Sequence, residues 1–231
     1  MDLDTILNID QQLLLFFNGS DSLFLDGVVS TLTNGLMWIP LYLSLFYLII
    51  KNNETMVQIG LIIGCVALTL LLTDGMADGI CKPMIARWRP SNDPILKYSV
   101  DIVNNTRGSD YGFFSAHAAN TMGLAVFFAL LVRSRLLSIT MIAWSVIEGW
   151  TRMYLGLHYP LDVLTGWTWG AISGLIGYLV CIRFYYRMSP KINYISSQYT
   201  RTGYDCADIN VVMFIYAASL LYAILKMVIT A

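Results

Sequence analysis

Residues 28–50, VVSTLTNGLMWIPLYLSLFYLII, form a run of 23 residues without a formal charge. About 20 apolar residues are enough to cross the hydrocarbon core of a bilayer. A helix is the only open-chain element that satisfies its own backbone hydrogen bonds there. This stretch therefore predicts a membrane-spanning helix, and it indicates the class of the whole protein.

Five more apolar runs follow the first, and they have similar lengths: 56–73, 116–132, 136–156, 163–182 and 210–231. The helix over 56–73 is predicted to continue past Asp74 and Asp78 towards Lys82. Apolar residues make up 57% of the chain and charged residues only 13%, whereas about a quarter of a soluble domain is charged. The sequence predicts an all-α integral membrane bundle of six transmembrane helices, formed by one domain over residues 1–231.

The N-terminal segment has a different character. Residues 5–17, TILNIDQQLLLFF, are too few to span a bilayer, and they predict a helix that lies in the membrane interface. The first residues, MDLDTILNID, contain acids but no basic residue. A cleaved signal peptide is therefore not expected. Two links between the predicted spans are long, namely 83–115 and 183–209.

Charge and cysteine content exclude several classes of protein. The formal net charge is -1, so the chain has no basic field with which to bind nucleic acid. No pair of cysteines has the CxxC spacing of a metal or redox site. We expect buried, unreactive thiols at Cys65, Cys81, Cys181 and Cys206.

Lysines and arginines in the links predict the orientation. One side of a six-span bundle would carry Lys51, Arg133, Arg135, Arg183, Arg187, Lys191 and Arg201. The other side would carry Lys82, Arg87, Arg89, Lys97, Arg107 and Arg152. If three cations of the second set serve a binding site, the first side is the cytoplasmic one. The link between the second and third spans and the link between the fourth and fifth spans then face outward.

The first polar cluster is KPMIARWRP, residues 82–90. A single cation at a helix end is explained by capping or snorkelling. Several cations followed by a proline favour an anion site, because the fork of Arg89 and the point charge of Lys82 suit phosphoryl oxygens. Arg87 is predicted to lie outside the site, since residues two apart on a helix face different directions.

The second cluster, Ser115, Ala116 and His117, opens the predicted third span. A helix N-terminus offers free N–H groups and a positive dipole end to an anion. Ser115 also suits a plain N-cap. His117 is placed to donate a proton to a leaving oxygen, although a packing histidine would fit the same position.

The third cluster contains Arg152, His158 and Asp162, just before and within the start of the predicted fifth span. A carboxylate four residues after an imidazole can hold one ring nitrogen while the other acts as nucleophile or base. Arg152 also lies four residues after Glu148, so an ion pair on the helix is an alternative role for both.

Together the three clusters resemble the PAP2 (type 2 phosphatidic acid phosphatase) superfamily, which shares its core with acid phosphatases and vanadium haloperoxidases. The family pattern is Lys-x6-Arg-Pro, then Pro-Ser-Gly-His, then Ser-Arg-x5-His-x3-Asp. Here the segments read KPMIARWRP, FSAH and TRMYLGLHYPLD, within residues 82–162. Phe114, Ala116 and Thr151 stand where the family has proline, glycine and serine.

The resemblance implies a role for each site residue. His158 attacks phosphorus, Asp162 orients its ring, and His117 protonates the leaving oxygen. The phosphoryl oxygens are held by Lys82, Arg89, Ser115, Ala116 and Arg152. No metal or cofactor is implied.

The implied function is a metal-independent phosphatase acting on a membrane lipid phosphate through a phosphohistidine, in a bacterial inner membrane with the site facing the periplasm. Candidate substrates are undecaprenyl diphosphate, phosphatidylglycerol phosphate, phosphatidic acid and a lipid A-type glycolipid. Alternatives are a lipid phosphotransferase with the same phosphohistidine, and a non-catalytic lipid-binding membrane protein. Loop 91–114 is a candidate lid or headgroup reader, and the sequence identifies no protein partner.

Overall fold

Helices make up the regular structure of the chain, of which the computed structural model describes residues 2–188 and 194–230. Within these ranges the only β-pairing is two isolated bridges, so the predicted all-α class is confirmed. The helices are α1 (Leu3–Phe17), α2 (Leu23–Leu32), α3 (Ile39–Lys51), α4 (Met56–Asp74), α5 (Lys82–Ile85), α6 (Ala116–Val132), α7 (Arg135–Tyr154), α8 (Pro160–Met188) and α9 (Cys206–Thr230).

The first apolar stretch is broken, and the prediction of one helix over 28–50 is wrong. Its two halves, α2 and the segment Gly35–Lys51, meet at an angle of 62°. At the break the Asn34 side chain accepts a hydrogen bond from the Leu36 N–H at 3.0 Å. Pro40 follows in the first turn of α3, where its missing N–H is tolerated. These residues end one helix and start another.

Only some of these helices are long and apolar enough to cross a membrane. Among the described residues, Met56–Ile85, Pro160–Met188 and Cys206–Ile229 qualify, and the bent pair makes a fourth if it counts as one span. The first of these confirms the predicted extension past Asp74 and Asp78. Helix α6 is apolar but has 17 residues, and α7 carries Arg135 at its start and Glu148 and Arg152 near its end. Length and composition thus identify three or four spans among the described residues, and they do not confirm the predicted six.

The ends of the helices fall into two groups. The Asp205 N–H donates to Asn52 at 2.7 Å, and the Thr202 hydroxyl donates to the Val132 carbonyl at 2.8 Å. The links that follow α3 and α6 and the link that precedes α9 therefore meet at one end of the bundle. The start of α6 lies at the other end. Residues 189–193, including Lys191, lie outside the described ranges, and so does residue 231 of the predicted run 210–231.

Small residues bring α6 and α8 into contact near their N-terminal ends. A Cβ atom on Gly170 would lie 2.3 Å from the Ala119 carbonyl oxygen, and one on Gly166 would lie 2.6 Å from that of Ser115. Only glycine permits so close an approach of two helix backbones. The contact places Ser115, at the start of α6, against the first turn of α8, which contains Asp162.

Helix α1 forms over the predicted N-terminal segment and packs on the same end of the bundle. Asp10 and Leu14 are buried, whereas Phe16 is 80% exposed. The helix contacts α7 and α8. It therefore covers the chain segment that joins these two helices.

The four cysteines are free thiols. Cys65 and Cys181 are buried as predicted, but Cys81 and Cys206 are partly exposed. The first two lie inside long helices, Cys81 ends the π-helical segment Gly75–Cys81 within the long helix Met56–Ile85, and Cys206 starts α9.

Candidate active site

His158 and Asp162 lie together where α7 passes into α8. The His158 Nδ1 is 3.6 Å from the Asp162 Oδ2, slightly longer than a hydrogen bond. The same carboxylate oxygen accepts the Tyr159 N–H at 3.1 Å. Asp162 is fully buried and His158 is 4% exposed. The carboxylate is thus fixed beside one nitrogen of a sequestered imidazole.

Arg89 holds the other nitrogen of the same ring. Its Nη1 lies 2.8 Å from the His158 Nε2 and donates to the Leu157 carbonyl at 3.1 Å. A guanidinium can only donate hydrogen bonds, so the His158 Nε2 must present its lone pair. The ring proton is then on Nδ1, towards Asp162.

The electrostatic setting of His158 favours this neutral form. Burial lowers the pKa of His158 from its ordinary 6.5 to about 4; the nearby Asp162 carboxylate opposes the shift, and the positive charges of Arg89 and Arg152 add to it. Burial also lowers the pKa of the Arg89 guanidinium, against the pull of Asp162. At neutral pH His158 is therefore an unprotonated base next to a cation.

His117 is held by a carboxylate on a neighbouring helix. Its Nε2 lies 2.7 Å from the Glu148 Oε2, and Glu148 is fully buried. The Trp38 Nε1 donates to the other oxygen, Oε1, at 3.0 Å. The imidazole of His117 is 29% exposed, so one edge of it faces open space.

Arg152 does not pair with Glu148. None of the ion pairs among the described residues joins them, and the Nη2 of Arg152 donates instead to the Thr33 carbonyl at 3.3 Å. Thr33 lies at the break between α2 and α3, where helical carbonyls lose their intrahelical partners. The alternative of a Glu148–Arg152 pair is therefore wrong, because Glu148 turns to His117.

The comparison with known families decides the classification. The family model of the PAP2 superfamily matches residues 62–187, more than half of the chain. The chain belongs to the PAP2 superfamily. The match contains all three polar clusters but ends before α9 and begins after α1. No solved structure matches the chain.

Curated relatives of this PAP2 protein are lipid phosphatases by name. It is 41% identical to a lipid A 4'-phosphatase of Bacteroides thetaiotaomicron, over 77% of this chain and 79% of the relative. It is 30% identical to a lipid A 4'-phosphatase of Porphyromonas gingivalis, over 77% of this chain and 75% of the relative. An undecaprenyl-diphosphatase of Sulfolobus acidocaldarius is 30% identical over 58% of this chain and 59% of the relative.

The second PAP2 segment starts helix α6. The Ser115 hydroxyl accepts the Ala118 N–H at 3.4 Å, which is an N-cap, and the Ser115 N–H donates to the Asp162 carbonyl at 3.1 Å. Ala116 is the first residue of α6, and Phe114 is buried. The cap thus ties the start of α6 directly to the residue that faces His158.

Lys82 of the first PAP2 segment has a local partner. Its Nζ contacts a carboxylate oxygen of Asp78, one turn earlier on the same helix. Asp78 is 56% exposed, so the pair lies at the surface. The structure brings Arg89 to His158, whereas it places Lys82 in this pair.

Arg87 was predicted to lie outside the site, and the structure corrects this. Its Nη1 donates to the Asp162 Oδ1 at 2.8 Å, and its Nη2 to the Asp10 Oδ2 at 2.6 Å. The guanidinium also lies 4.0 Å from the centre of the Tyr159 ring. The spacing argument assumed a helix, but the chain leaves the helix at Ala86, whose φ is 48°. Arg87 stands behind Asp162, on the side away from His158.

Asp10 is a site-related residue that the sequence argument did not single out. It is buried on α1 and also accepts the Leu161 N–H at 2.8 Å. Burial raises the pKa of Asp10, and the hydrogen bonds from Arg87 and Leu161 oppose this. The signal in the sequence was a lone acid within the apolar segment TILNIDQQLLLFF. Through Arg87, α1 supports the carboxylate that faces His158.

Proposed function

We propose that this PAP2 protein removes a phosphate monoester from a lipid A-type glycolipid at the membrane surface. The support is the activity for which two relatives are named, each of which matches about three quarters of the chain. Undecaprenyl diphosphate is the runner-up, favoured by the name of the more distant relative.

In the proposed reaction, His158 Nε2 attacks phosphorus. The single observation that carries the proposal is the arrangement on this ring: Arg89 lies 2.8 Å from Nε2, and Asp162 lies on the Nδ1 side. As the substrate binds, the Arg89 Nη1 must leave Nε2 and donate to a phosphoryl oxygen, which frees the lone pair for attack and keeps the guanidinium beside the transferred group. Asp162 stabilises the positive charge that develops on the ring as the P–N bond forms.

The leaving group and the phosphoryl oxygens need further residues. As the P–O ester bond breaks, His117 gives a proton to the leaving oxygen. Water then attacks phosphorus, His117 takes a proton from it, and the P–N bond breaks to release inorganic phosphate. We assign the hold on the phosphoryl oxygens to Lys82, Arg89, Arg152, Ser115 and the N–H of Ala116.

The membrane arrangement is part of the proposal. The bent pair α2–α3 and the helices α4, α6, α7, α8 and α9 form a six-span bundle and a single domain, with α1 in the interface above the site. With Lys82, Arg89 and Arg152 assigned to the phosphoryl group, seven lysines and arginines at the opposite end compare with three at the site end, which favours a cytoplasmic location for the opposite end. The site then faces the periplasm, where a lipid A phosphate would lie at headgroup depth.

Phosphate release from purified protein tests the proposal, with four substrates: a lipid A-type phosphate, undecaprenyl diphosphate, phosphatidylglycerol phosphate and phosphatidic acid. We expect the highest kcat/KM on the first, no activity for His158→Ala, and full activity for the control Lys51→Gln, which changes an exposed cation at the opposite end of the bundle. Vanadate should inhibit, and EDTA should have no effect. Activity of His158→Ala, or a loss with EDTA that Mg²⁺ restores, would reject the mechanism; a preference for another lipid would reject the substrate.

Orientation is tested separately. Ile95 is 85% exposed and lies in loop 91–114, on the side of the site. In a variant without the native cysteines, Ile95→Cys should react with a membrane-impermeant maleimide in intact cells. Reaction only after the inner membrane is permeabilised would reverse the orientation.

A further inference from the structure

Glu148 is a buried carboxylate to which none of the PAP2 segments assigns a role. It is fully buried on α7. A charge in such a place is costly unless it is paired, and an ionisable residue inside a membrane bundle is a candidate for function by default. Both oxygens of Glu148 are occupied, by His117 and by Trp38.

The donor on the far side of Glu148 is rigid. The Trp38 ring packs against Trp144, with centroids 5.6 Å apart, and stacks on Tyr216 at 5.9 Å. Its Nε1 also donates to the Leu32 carbonyl at 2.8 Å. Trp38 belongs to the turn that breaks the first apolar stretch. The break therefore supplies the group that fixes the Glu148 carboxylate.

An ionised carboxylate only accepts hydrogen bonds, so the Nε2 of His117 is the donor in its contact with Glu148. This nitrogen is committed and cannot serve the substrate. We infer that Glu148 is the positioning residue for proton transfer: it anchors His117 through Nε2 and stabilises the imidazolium, in which both ring nitrogens carry a proton. The Nδ1 of this imidazolium gives its proton to the leaving oxygen, and the neutral ring then takes a proton from water at the same nitrogen. This inference rests on the proposed function, in which His117 is the acid and base.

Leaving groups of different basicity separate this role from a purely structural one. The leaving alkoxide of an n-octyl phosphate needs a proton, whereas 4-nitrophenolate leaves without one. We would measure the first turnover, the release of the leaving group per enzyme in a rapid-mixing experiment, for both substrates. The first turnover excludes the later attack of water, for which both substrates depend on His117.

In Glu148→Gln we expect the first turnover of octyl phosphate to slow by about 100-fold or more, which is the usual contribution of a general acid. With 4-nitrophenyl phosphate it should slow by less than about threefold, because no proton is needed. A burst of nitrophenolate should follow, since the phosphohistidine then waits for water. His117→Gln should show the same selectivity, and Glu54→Gln, which removes an exposed acid, should match the wild type.

The outcomes distinguish two failures. If His158→Ala still releases either leaving group, the proposed nucleophile is wrong whatever Glu148 does. If His158→Ala is inactive but Glu148→Gln slows both substrates equally, Glu148 only supports the fold and the inference is overturned. Equal nitrophenolate bursts in the wild type and in Glu148→Gln would also overturn the inference.

Two further measurements apply if Glu148→Gln does not fold. Trp38→Phe removes the N–H that holds Glu148 and that also donates to the Leu32 carbonyl, and it replaces the indole with a smaller apolar ring. It should show the same substrate selectivity to a smaller degree. Nitrogen NMR of the wild-type protein, which has two histidines, reports the protonated nitrogen directly. A neutral His117 with its proton on Nδ1 would contradict the assignment.

Discussion

The titration of His158 is the sharpest consequence of the geometry. Burial lowers the pKa of His158 to about 4, with Asp162 opposing and the charges of Arg89 and Arg152 reinforcing the shift. The perturbation we choose is Arg89→Gln, which removes the cation 2.8 Å from Nε2. We expect the pKa to rise, but to stay below 6.5 because burial, the largest cause, remains.

The lowered pKa of His158 changes the pH dependence of the first turnover by an amount that is large enough to measure. At about pH 5.5, an imidazole with a pKa of about 4 is roughly 97% unprotonated, whereas one with the ordinary 6.5 is only about 9% unprotonated. Wild-type first turnover at saturating substrate should therefore change by a few per cent between about pH 7 and 5.5. An ordinary histidine nucleophile would lose about eightfold over the same range.

The assay must separate the enzyme from its substrate, because a phosphate monoester itself titrates near pH 6. Nitrogen NMR of the substrate-free protein avoids this problem. His117→Gln leaves a single histidine and assigns the signals. A His158 pKa at or above 6.5 in the wild type would refute the burial argument, as would a fall in pKa on replacing Arg89.

Stability gives an independent check, with a definite sign. Because the folded-state pKa of His158 is lower than the unfolded-state value, the unfolded chain binds more protons between about pH 4 and 6.5. The free energy of unfolding therefore rises with pH across that window, by up to about 3 kcal/mol from this residue. Above the window the contribution is complete. His158→Gln should flatten the rise in thermal unfolding midpoint in detergent; an unchanged slope would contradict the linkage.

Three further substitutions test the packing around the site. Gly112→Ala puts a methyl group 3.1 Å from Arg89 Cγ and 3.4 Å from His158 Nδ1. We expect kcat to drop by about tenfold. The control Gly60→Ala, which has open space around the added methyl group, should leave kcat unchanged. Arg87→Lys cannot bridge two carboxylates with one fork, so kcat should fall with little change in KM; an unchanged kcat would show that Asp162 needs no support. Gly170→Ala should lower stability by about 1–3 kcal/mol through the clash with α6, measured as a thermal midpoint against Gly64→Ala.

The positions of the helices could be predicted because lipid-facing sequence is uniformly apolar. Helix α6 begins and ends at the predicted residues, and the extension of the second run through Asp74 and Asp78 was visible in its pattern. The bend in residues 28–50 was missed. An uncharged run indicates an apolar environment and the length of a segment, but it does not show where the helix axis bends. The prediction of one helix gave no special role to Asn34 and Pro40.

Spacing alone predicts contacts in the candidate site only where residues are close in sequence, and the family resemblance was needed to group the distant ones. His158 and Asp162 are four residues apart, and a fixed spacing on a helical turn implies their contact. Arg89 reaches His158 through a loop that no spacing rule describes. Asp10 and Glu148 bond to residues 77 and 31 positions away, and only the packing of α1 and α7 brings them there. The spacing of residues in the sequence predicts local geometry, but it does not predict such long-range contacts.

The two histidines differ in one physical respect that assigns their proposed chemistry. In both rings the Nε2 atom is bound, at 2.8 Å in His158 and 2.7 Å in His117. The partner of the first is a guanidinium, which can only donate, so His158 Nε2 keeps a lone pair. The partner of the second is a carboxylate, which accepts, so His117 Nε2 keeps a proton. The two rings therefore present different atoms to the substrate: His158 presents the Nε2 lone pair to phosphorus, and His117 presents Nδ1 to the leaving oxygen, as an acid when that nitrogen is protonated and as a base when it is not. The same reasoning explains why each imidazole needs a buried carboxylate: Asp162 stabilises a ring that becomes charged by attacking phosphorus, and Glu148 holds a ring that must turn its other nitrogen to the leaving group.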